Sequence, residues 1–458
     1  MKHIRPILWI VLLSLLVNSC GNSNPAPTVD SYPAASQPQP QTDTTSTSIL
    51  KSDAPYSQNI RFEHFSLEEG LSQSVVTSVL QDRTGYLWIG TEDGLNRYDG
   101  YNFKVYKPDS SNPNSLSDNW ITSLAEDAQG YLWVGTRLGG LNRYDPGTDK
   151  FTRFLHDEAN PASLSNNKVS YILPDENNLW VGTEYGLDYY NHQTNSFEHH
   201  RTSNDPTSSP SSNFITTIFR DSKGLLWVGT SNAGLNIYDP REDQFEVYKN
   251  TEGDATSLSS NRVLSIQADK DGAIWVGTVN GLNRFEPAGK YFTRFTNSKK
   301  DPNSIGDNTI NVIYKDHSGG LWFGTRNGLD RYDPQSKKFI HHRHQATVGN
   351  SLSNDIVHTI YEDFNGVLWI GTFGGGLNKY NRQQDRFTYY RNNPDDPNSL
   401  SGDMVFPIFV HSNGMVWIGT QGGGLNRFDP QNGRFSQYRY DPENPASISS
   451  GVRSDNPT

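Results

Sequence analysis

The clearest pattern in the chain is a short apolar run that ends in Gly-Thr and occurs eight times. Its centre is an aliphatic residue, Trp, a second aliphatic residue or Phe, then Gly and Thr. The Trp residues are Trp88, Trp133, Trp180, Trp227, Trp275, Trp322, Trp369 and Trp417. They follow one another at intervals of 45, 47, 47, 48, 47, 47 and 48 residues. Self-similarity at such a fixed period indicates a repeat architecture.

Each repeat contains four short apolar runs separated by turn residues. In the second repeat the runs are 121–124, 131–136, 141–145 and 151–154, with Gly, Pro, Asn and Asp between them. No sustained helical period interrupts this pattern. Four antiparallel strands per repeat of this length are typical of a propeller blade. We therefore predict an all-β fold, a β-propeller of about eight four-stranded blades.

The two ends of the repeat region leave two arrangements open. Residues 60–65 resemble the fourth strand of later repeats, such as 386–390, so an N-terminal strand can complete the last blade and close the ring. The last repeat also has its own fourth segment, 434–438, and 441–449 resembles the entry of a further repeat. We favour eight blades with a spare closing strand. The alternative is a seven-bladed ring plus one extra repeat of a truncated array.

The eight Trp residues are interpreted as structural. The strand that carries each Trp is an inner strand of its blade, so both of its faces meet neighbouring blades. A buried Trp removes about 150–250 Å² from water, which corresponds to roughly 4–6 kcal/mol as an upper bound. A large aromatic side chain at this position fills the wedge between two sheets.

The N-terminus has the pattern of a secretory leader. Lys2 and Arg5 precede an apolar run, 7–17, which is too short to span a membrane. The tetrapeptide that ends in Cys20 resembles the lipobox of bacterial lipoproteins, and Cys20 is the single Cys of the chain. We expect a lipoprotein signal peptide at 1–19 and lipidation, such as palmitate, at Cys20. An ordinary signal peptide with a chance Cys is the alternative.

The remaining segments follow from composition. Residues 20–58 are rich in Pro, Ser, Thr and Gln, which predicts a disordered tether. The propeller is expected at 59–440, followed by a C-terminal tail at 441–458. These features place the protein in the bacterial cell envelope, attached to a membrane through the lipid and exposed to the periplasm or the cell exterior.

One repeat carries a family resemblance. Its motif consists of 350–353, Val357, Ile360, 363–366, 368–372 and 376–380. This pattern resembles the two-component regulator propeller repeat, and the resemblance extends over about residues 60–450. It implies the extracytoplasmic sensor part of hybrid two-component regulators, some of which detect oligosaccharides. We find no ATP-binding glycine motif and no His-bearing dimerisation segment in the sequence, so we expect no kinase activity. The chain would be a lipid-tethered sensor-like propeller or a fragment of a longer sensor.

Two positions vary sharply between repeats and are therefore free to serve a ligand. The first slot begins the first strand of each repeat and holds Val75, Trp120, Lys168, Phe214, Arg262, Thr309, Ile356 and Met404. The second slot follows the Gly-Thr motif and holds Glu92, Arg137, Glu184 with Tyr185, Ser231, Val279, Arg326, Phe373 and Gln421. In a propeller both loops emerge on one face. The predicted ligand residues are Trp120, Arg137, Lys168, Tyr185, Phe214, Arg262, Arg326 and Phe373.

Aromatic faces beside hydrogen-bond donors suit a carbohydrate or similar polar ligand, and Arg suits a carboxylate. The competing interpretation is ordinary variation at solvated loop positions. Other candidates are weaker. Outer-strand histidines are expected to be solvated rather than metal-bound: His199, His200, His341, His342 and His344. The segment 269–272 resembles a calcium loop but occupies a turn position, so a turn is expected.

The sequence excludes several function classes. A net charge of −11 argues against a nucleic-acid surface. We expect no cofactor, no metal and no catalytic residue. The leading hypothesis is a ligand-binding propeller that acts in signalling with a partner protein. A protein-protein interaction scaffold is the alternative. A propeller lyase or hydrolase that uses His358 and Arg262 is the third.

Overall fold

The computed structural model describes residues 60–382, 390–394, 396–430 and 433–449. The predicted leader, Cys20 and the tether lie outside these residues, as does most of the segment 386–390. The described residues form strands, turns and loops, and they contain no helix that could cross a membrane. Their strands assemble into eight four-stranded antiparallel sheets, which confirms the predicted all-β propeller fold with about eight four-stranded blades; seven of these sheets form the closed ring and the eighth follows them in the chain.

The first four sheets follow the chain in order after a short first strand. Strand β1 is Glu63–Phe65. Sheet 1 contains β2 (Val76–Gln81), β3 (Leu87–Thr91), β4 (Gly94–Tyr98) and β5 (Phe103–Tyr106). Sheet 2 contains β6 (Ile121–Glu126), β7 (Leu132–Thr136), β8 (Leu141–Asp145) and β9 (Lys150–Phe154). Sheet 3 contains β10 (Val169–Asp175), β11 (Asn178–Thr183), β12 (Gly186–Asn191) and β13 (Ser196–His200). Sheet 4 contains β14 (Ile215–Arg220), β15 (Leu226–Thr230), β16 (Leu235–Asp239) and β17 (Gln244–Tyr248).

The last four sheets differ only in how the seventh is completed. Sheet 5 contains β18 (Val263–Ala268), β19 (Ile274–Thr278), β20 (Gly281–Glu286) and β21 (Tyr291–Phe295). Sheet 6 contains β22 (Ile310–Lys315), β23 (Leu321–Thr325), β24 (Gly328–Asp333) and β25 (Lys338–His342). Sheet 7 contains β26 (Val357–Glu362), β27 (Val367–Thr372), β28 (Leu377–Asn381) and, as its fourth strand, β1. Sheet 8 contains β29 (Val405–Val410), β30 (Val416–Thr420), β31 (Gly424–Asp429) and β32 (Arg434–Tyr438).

The ring closes between sheet 7 and sheet 1. Strand β1 pairs with β28, with Phe65 opposite Leu377. The loop of sheet 7 reaches the start of sheet 1, where the backbone N–H groups of Gly374 and Gly376 donate to the carbonyl of Ser74 at 3.2 and 2.9 Å. Of the two arrangements left open by the sequence, the structure therefore shows a seven-bladed ring plus one further sheet.

Hydrophobic packing repeats the same ring. Seven buried clusters each join two neighbouring sheets of the ring. The cluster at the closure combines Phe65, Val76 and Ile89 with Trp369 and Leu377, and so joins sheet 7 to sheet 1. The core is therefore divided among the interfaces between sheets, as expected for a propeller.

Neighbouring sheets approach each other closely at the Gly of the repeated motif. We call this Gly the socket and the β-branched residue of the next sheet that lies on it the knob. A Cβ built on Gly371 would lie 2.5 Å from Cγ1 of Val76, and one on Gly182 would lie 2.9 Å from Cγ2 of Ile215. The other socket and knob pairs of the ring are Gly90 with Ile121, Gly135 with Val169, Gly229 with Val263, Gly277 with Ile310 and Gly324 with Val357. Only Gly fits these positions without displacement of the next sheet.

The ring Trp residues are buried, and each has a hydrogen-bond acceptor. Trp322 is 0% exposed and Trp369, the most exposed of the seven, is 5% exposed. Each indole Nε1–H donates to the turn Asp that ends the first strand of its own sheet. The pairs are Trp88 with Asp82, Trp133 with Asp127, Trp180 with Asp175, Trp227 with Asp221, Trp275 with Asp269, Trp322 with Asp316 and Trp369 with Asp363. The sequence predicts only turns at these Asp residues, and the structure adds their role as acceptors for the Trp indoles.

Sheet 8 lacks this arrangement. Trp417 is half-buried, and His411 occupies the position of the turn Asp. The buried side chains of sheet 8 form a small cluster of Leu400, Phe428 and Phe435, which contains no residue of a ring sheet. Trp417 therefore contributes less inter-sheet packing than the ring Trp residues.

We expect Trp227→Ala to lower the free energy of unfolding by about 3–5 kcal/mol, because it leaves a large cavity between sheets 4 and 5. Trp417→Ala is the matched control in the same motif, and we expect it to cost much less. Urea unfolding followed by circular dichroism measures both. Equal losses for the two variants, or a loss below about 1 kcal/mol for Trp227→Ala, would contradict the burial argument.

Candidate functional site

The two variable slots are held side by side in each sheet. The first slot directly precedes the knob, and the second directly follows the buried Thr of the motif. In most sheets the backbone N–H of the second slot donates to the carbonyl of the first. These bonds are Arg137 to Trp120, Glu184 to Lys168, Ser231 to Phe214, Val279 to Arg262, Phe373 to Ile356 and Gln421 to Met404, at 2.9–3.3 Å. Because the ring sheets are equivalent, their slot pairs lie on one face of the ring. We call this face the slot face.

Trp120 and Arg137 form the most developed pair on the slot face. The guanidinium carbon of Arg137 lies 4.5 Å from the centroid of the Trp120 ring. Trp120 is half-buried, and Arg137 is exposed. Leu138, which follows Arg137, is 63% exposed. Asp118 holds this loop, since its Oδ2 accepts the Leu138 backbone N–H at 2.7 Å. Trp120 thus has a partner within the chain.

Sheet 3 carries two contacts of different kinds. Lys168 donates to Glu184 at 2.7 Å in an exposed ion pair, so these two charges largely cancel. Tyr185 is 51% exposed, and the guanidinium carbon of Arg201 lies 4.9 Å from its ring centroid. Tyr185 and Arg201 therefore repeat the aromatic and guanidinium pairing of the Trp120 loop.

Phe373 belongs to a more enclosed corner. Its side chain is 45% exposed, and its backbone forms an antiparallel bridge with Val75 of sheet 1. The centroid of its ring lies 5.5 Å from the centroid of the His358 ring. Burial, and then the nearby charge of Arg326, lowers the pKa of His358. His358 is in sheet 7, whereas Arg262 begins sheet 5, so sheet 6 separates the pair considered for a lyase or hydrolase.

The remaining predicted residues stand apart from these pairs. Phe214 is 37% exposed, and its backbone carbonyl accepts from Ser231. Arg262 and Arg326 are exposed. All eight predicted residues lie on the slot face by their place in the repeat. The structure brings Trp120 into contact with Arg137. Lys168 and Tyr185 share sheet 3, and the remaining four residues lie on four further sheets of the ring: Phe214, Arg262, Arg326 and Phe373.

The structure shows a third variable position on the same face, in addition to the two predicted slots. It follows the fourth strand of each sheet and lies over the Gly that begins the third. Its ring members are Ser66, Lys107, Leu155, Arg201, Lys249, Thr296 and Arg343. Comparison of repeats could have found it, since this position varies as much as the two slots. Four of the seven are basic. Lys107 is paired with Asp93 at 2.6 Å, so the positive charge added to the slot face comes from Arg201, Lys249 and Arg343.

A polar cavity lies at the opposite ends of the strands. It has a volume of about 420 Å³ and is lined by turn residues of sheets 2 and 3. The lining residues are Gln129, Glu176, Asn177, Asn178, Asn191, His192 and Gln193. This cavity is formed by the turns between the first and second strands of sheets 2 and 3 and by the turn between the third and fourth strands of sheet 3, away from the slot face. No predicted ligand residue contributes to it.

Within the described ranges, no group of three or more His, Cys, Asp or Glu side chains could hold a metal ion. The calcium-like segment is a turn, as expected from its position. Oδ1 of Asp269 accepts the backbone N–H groups of Asp271 and Ala273, and its Oδ2 accepts the Trp275 indole N–H. The carboxylate of Asp269 is thus occupied by hydrogen bonds.

The outer-strand histidines are not simply solvated, contrary to expectation. Nδ1 of His199 donates to the buried Asp188 at 2.7 Å, and Nδ1 of His341 donates to the buried Asp330 at 2.6 Å. His342 is itself buried, and burial lowers its pKa to about 4. In sheet 2 the corresponding cross-strand pair is Asn142 with Arg153. An Asp with a His therefore replaces that pair in sheets 3 and 6.

This replacement predicts a pH-dependent contribution to stability. The hydrogen bond to Asp188 raises the pKa of His199 above its ordinary value of 6.5. The stabilisation is therefore fully present below pH 6.5 and is lost as the pH rises through the folded pKa. The control is Asp188→Asn with His199→Arg, which installs the pair of sheet 2. Thermal unfolding between pH 5 and 9 should show the advantage of the natural pair shrinking as pH rises. A constant difference would contradict the assignment.

The family model described as two component regulator propeller matches seven segments. They are 70–93, 115–137, 163–185, 209–232, 257–280, 304–327 and 351–374. Each segment runs from the entry of a ring sheet to its second slot. The seven matches correspond to the seven sheets of the ring.

Three relatives are informative. A curated protein named Histidine kinase P4, from Formosa agariphila, is 45% identical over 58 residues, which is 13% of this chain and 4% of that protein. A crystal structure of the extracellular domain of a hybrid two component system from B. thetaiotaomicron is 29% identical, with a TM-score of 0.66, over 83% of this chain and 49% of that chain. A second extracellular domain of a hybrid two component system from B. thetaiotaomicron is 22% identical, with a TM-score of 0.58, over 83% and 54% of the two chains, and shows likeness of fold alone. The chain thus spans about half of these solved domains.

Proposed function

Because the chain belongs to the two component regulator propeller family, we propose that it acts as an extracytoplasmic, sensor-like propeller that binds a polar ligand on the slot face. The solved domain at 29% identity is extracellular and part of a two component system, which supports both the location and the signalling role. A partner protein would then receive the signal. The proposed ligand is a carbohydrate or a similar polar molecule.

One observation carries the ligand class. On the slot face, Arg137 lies over Trp120 and Arg201 lies over Tyr185, so two aromatic rings are each paired with a guanidinium group. An aromatic face packs against the apolar face of a sugar ring, and guanidinium N–H groups donate to hydroxyl or carboxylate oxygens. The basic third position adds charge that favours a sugar bearing a carboxylate.

The alternative function is an interaction scaffold. It is supported by the exposed apolar side chains of β29 in sheet 8, since large exposed apolar patches mark interaction surfaces. This surface is separate from the slot face, and the two roles are compatible.

The ligand proposal is tested on a chain that begins at Asp53 and contains every described residue. We expect a glycan array and a thermal-shift screen with neutral and acidic oligosaccharides to give a hit. Trp120→Ala removes the ring on which Arg137 lies and should weaken that hit by about tenfold or more, which corresponds to about 1.4 kcal/mol or more.

The control for this experiment is Tyr101→Ala. Tyr101 is 90% exposed, lies in a turn of sheet 1 on the opposite face, and should leave the hit unchanged. If Trp120→Ala and Tyr101→Ala bind the identified glycan equally well, the slot face is not the binding site. The absence of any hit for the well-folded chain would contradict the carbohydrate class.

Lipid anchoring at Cys20 is a further part of the proposal. It is supported by the sequence motif that ends in Cys20, which lies outside the described residues. We expect the full-length chain to incorporate a radiolabelled or clickable fatty acid and to sediment with membranes. Cys20→Ser should abolish the labelling, since no other Cys is present. Ser23→Ala is the matched control and should keep it. Labelling that persists in Cys20→Ser would contradict the anchor.

A further inference from the structure

Basic side chains without an acidic partner follow one another around the slot face. Each of sheets 2 to 5 carries one of them, and sheet 6 carries two. None of them forms an ion pair with another described residue. We call this set the basic arc. Its members are all exposed, and they are Arg137, Arg201, Lys249, Arg262, Arg326 and Arg343.

The acidic side chains next to the slots of these sheets are already engaged. Glu184 is paired with a lysine of the same face. Asp118 and Asp307 each accept a backbone N–H at 2.7 Å. The chain as a whole has a net charge of −11, so the basic arc opposes the overall charge of the protein. Like charges gathered on one face raise the local potential, which attracts a ligand of the opposite charge.

The basic arc has two ends, and both lie at the sheets where the ring closes. In sheet 7 the two slots hold Ile356 and Phe373, which carry no charge. In sheet 1 the second slot holds Glu92, and Lys107 is paired with Asp93. The unpaired positive charge therefore covers five of the seven ring sheets and leaves the closure free.

Aromatic rings hold two guanidinium groups of the basic arc in place. The guanidinium carbon of Arg137 lies 4.5 Å from the Trp120 ring centroid, and that of Arg201 lies 4.9 Å from the Tyr185 ring centroid. A guanidinium group that stacks on a ring keeps the N–H groups at its edge free for a carboxylate or sulfate, which it binds through two parallel hydrogen bonds. These two groups in neighbouring sheets are thus prepared for two successive anionic groups.

Exposed aromatic surface beside the basic arc suits sugar rings. Tyr185 is 51% exposed, and Phe214 of the next sheet is 37% exposed. Partly exposed aromatic rings provide apolar contact for the C–H faces of a sugar, while the neighbouring cations bind its acidic substituents. This combination favours an acidic glycan over an anion that lacks apolar faces.

We propose that the basic arc binds an acidic oligosaccharide that carries a carboxylate or sulfate on successive units and lies along sheets 2 to 6. This inference rests on the proposed function of the slot face and specifies its ligand. A single acidic unit reaches one stacked guanidinium group, whereas a longer chain also reaches Arg262 and Arg326. Affinity therefore rises with the number of acidic units.

The first test varies the ligand and uses calorimetric titration of the chain that begins at Asp53. We expect a long oligogalacturonate to bind about tenfold or more tightly than galacturonate, because it contacts more of the cations. Methyl esterification of the oligogalacturonate removes its charge and should weaken binding about tenfold or more, as should high salt, which screens exposed charges. A sulfated dextran oligosaccharide that binds in place of the oligogalacturonate would support the basic arc with sulfate as the acidic group.

Two outcomes of this titration would overturn the proposal. One is equal affinity for the charged and the methyl-esterified oligogalacturonate. The other is a preference for polyglutamate over both acidic glycans, which would indicate an acidic peptide as the ligand.

The second test varies the protein at positions remote from Trp120. Arg262→Gln with Arg326→Gln should weaken binding of the long acidic oligosaccharide about tenfold or more, and should leave a single acidic unit unaffected. Lys223→Gln with Lys270→Gln removes the same charge at exposed turns on the opposite face and is the matched control.

The outcomes separate the basic arc from the proposed function. If the Arg262 and Arg326 variant binds the long oligosaccharide as tightly as the control variant, the basic arc is overturned, while a glycan lost in Trp120→Ala would still support the slot face. If the natural chain binds no acidic and no neutral glycan, the proposed function fails together with this inference.

Discussion

The structure depends on the contact between a glycine and the β-branched residue of the next sheet. At Gly371 there is no room for a Cβ beside Val76, so the two sheets approach as closely as their backbones allow. This contact brings the buried Trp residues of neighbouring blades into the wedge between sheets, where each indole N–H is satisfied by a turn Asp. Seven such contacts close a ring, and the strand β1 completes the last sheet.

The same contact separates what the fold requires from what is free to vary. A buried knob and a buried Thr fix the ends of two strands in every sheet of the ring, and the first and second slots lie next to them. The backbone hydrogen bond between the slots uses only main-chain atoms, as from Arg137 to Trp120. Side chains at the slots can therefore change without loss of the blade. This is why the slot face can be specialised for a ligand while the seven sheets stay alike.

Much of the fold could be predicted from the sequence, because the period of the Trp motif and the four apolar runs per repeat report on local structure. The sheet at which the ring closes could not be predicted. Residues 60–65 have the same strand pattern as the other fourth strands, and this pattern does not show with which third strand they pair. At the site, the position of Trp120 and Arg137 on the slot face could be predicted from their place in the repeat. The packing of the Arg137 guanidinium on the Trp120 ring could not. Arg201 was missed because the end of the fourth strand was not compared between repeats.

The most direct test of this account is a disulfide across the closure. Val75→Cys with Phe373→Cys joins two residues that form an antiparallel bridge between sheets 1 and 7. The account predicts rapid formation of this disulfide within one chain. Val75→Cys with Gln421→Cys would instead join the equivalent positions of sheets 1 and 8, as an eight-bladed ring requires. Formation of the second disulfide within one chain, and not the first, would contradict the seven-bladed ring.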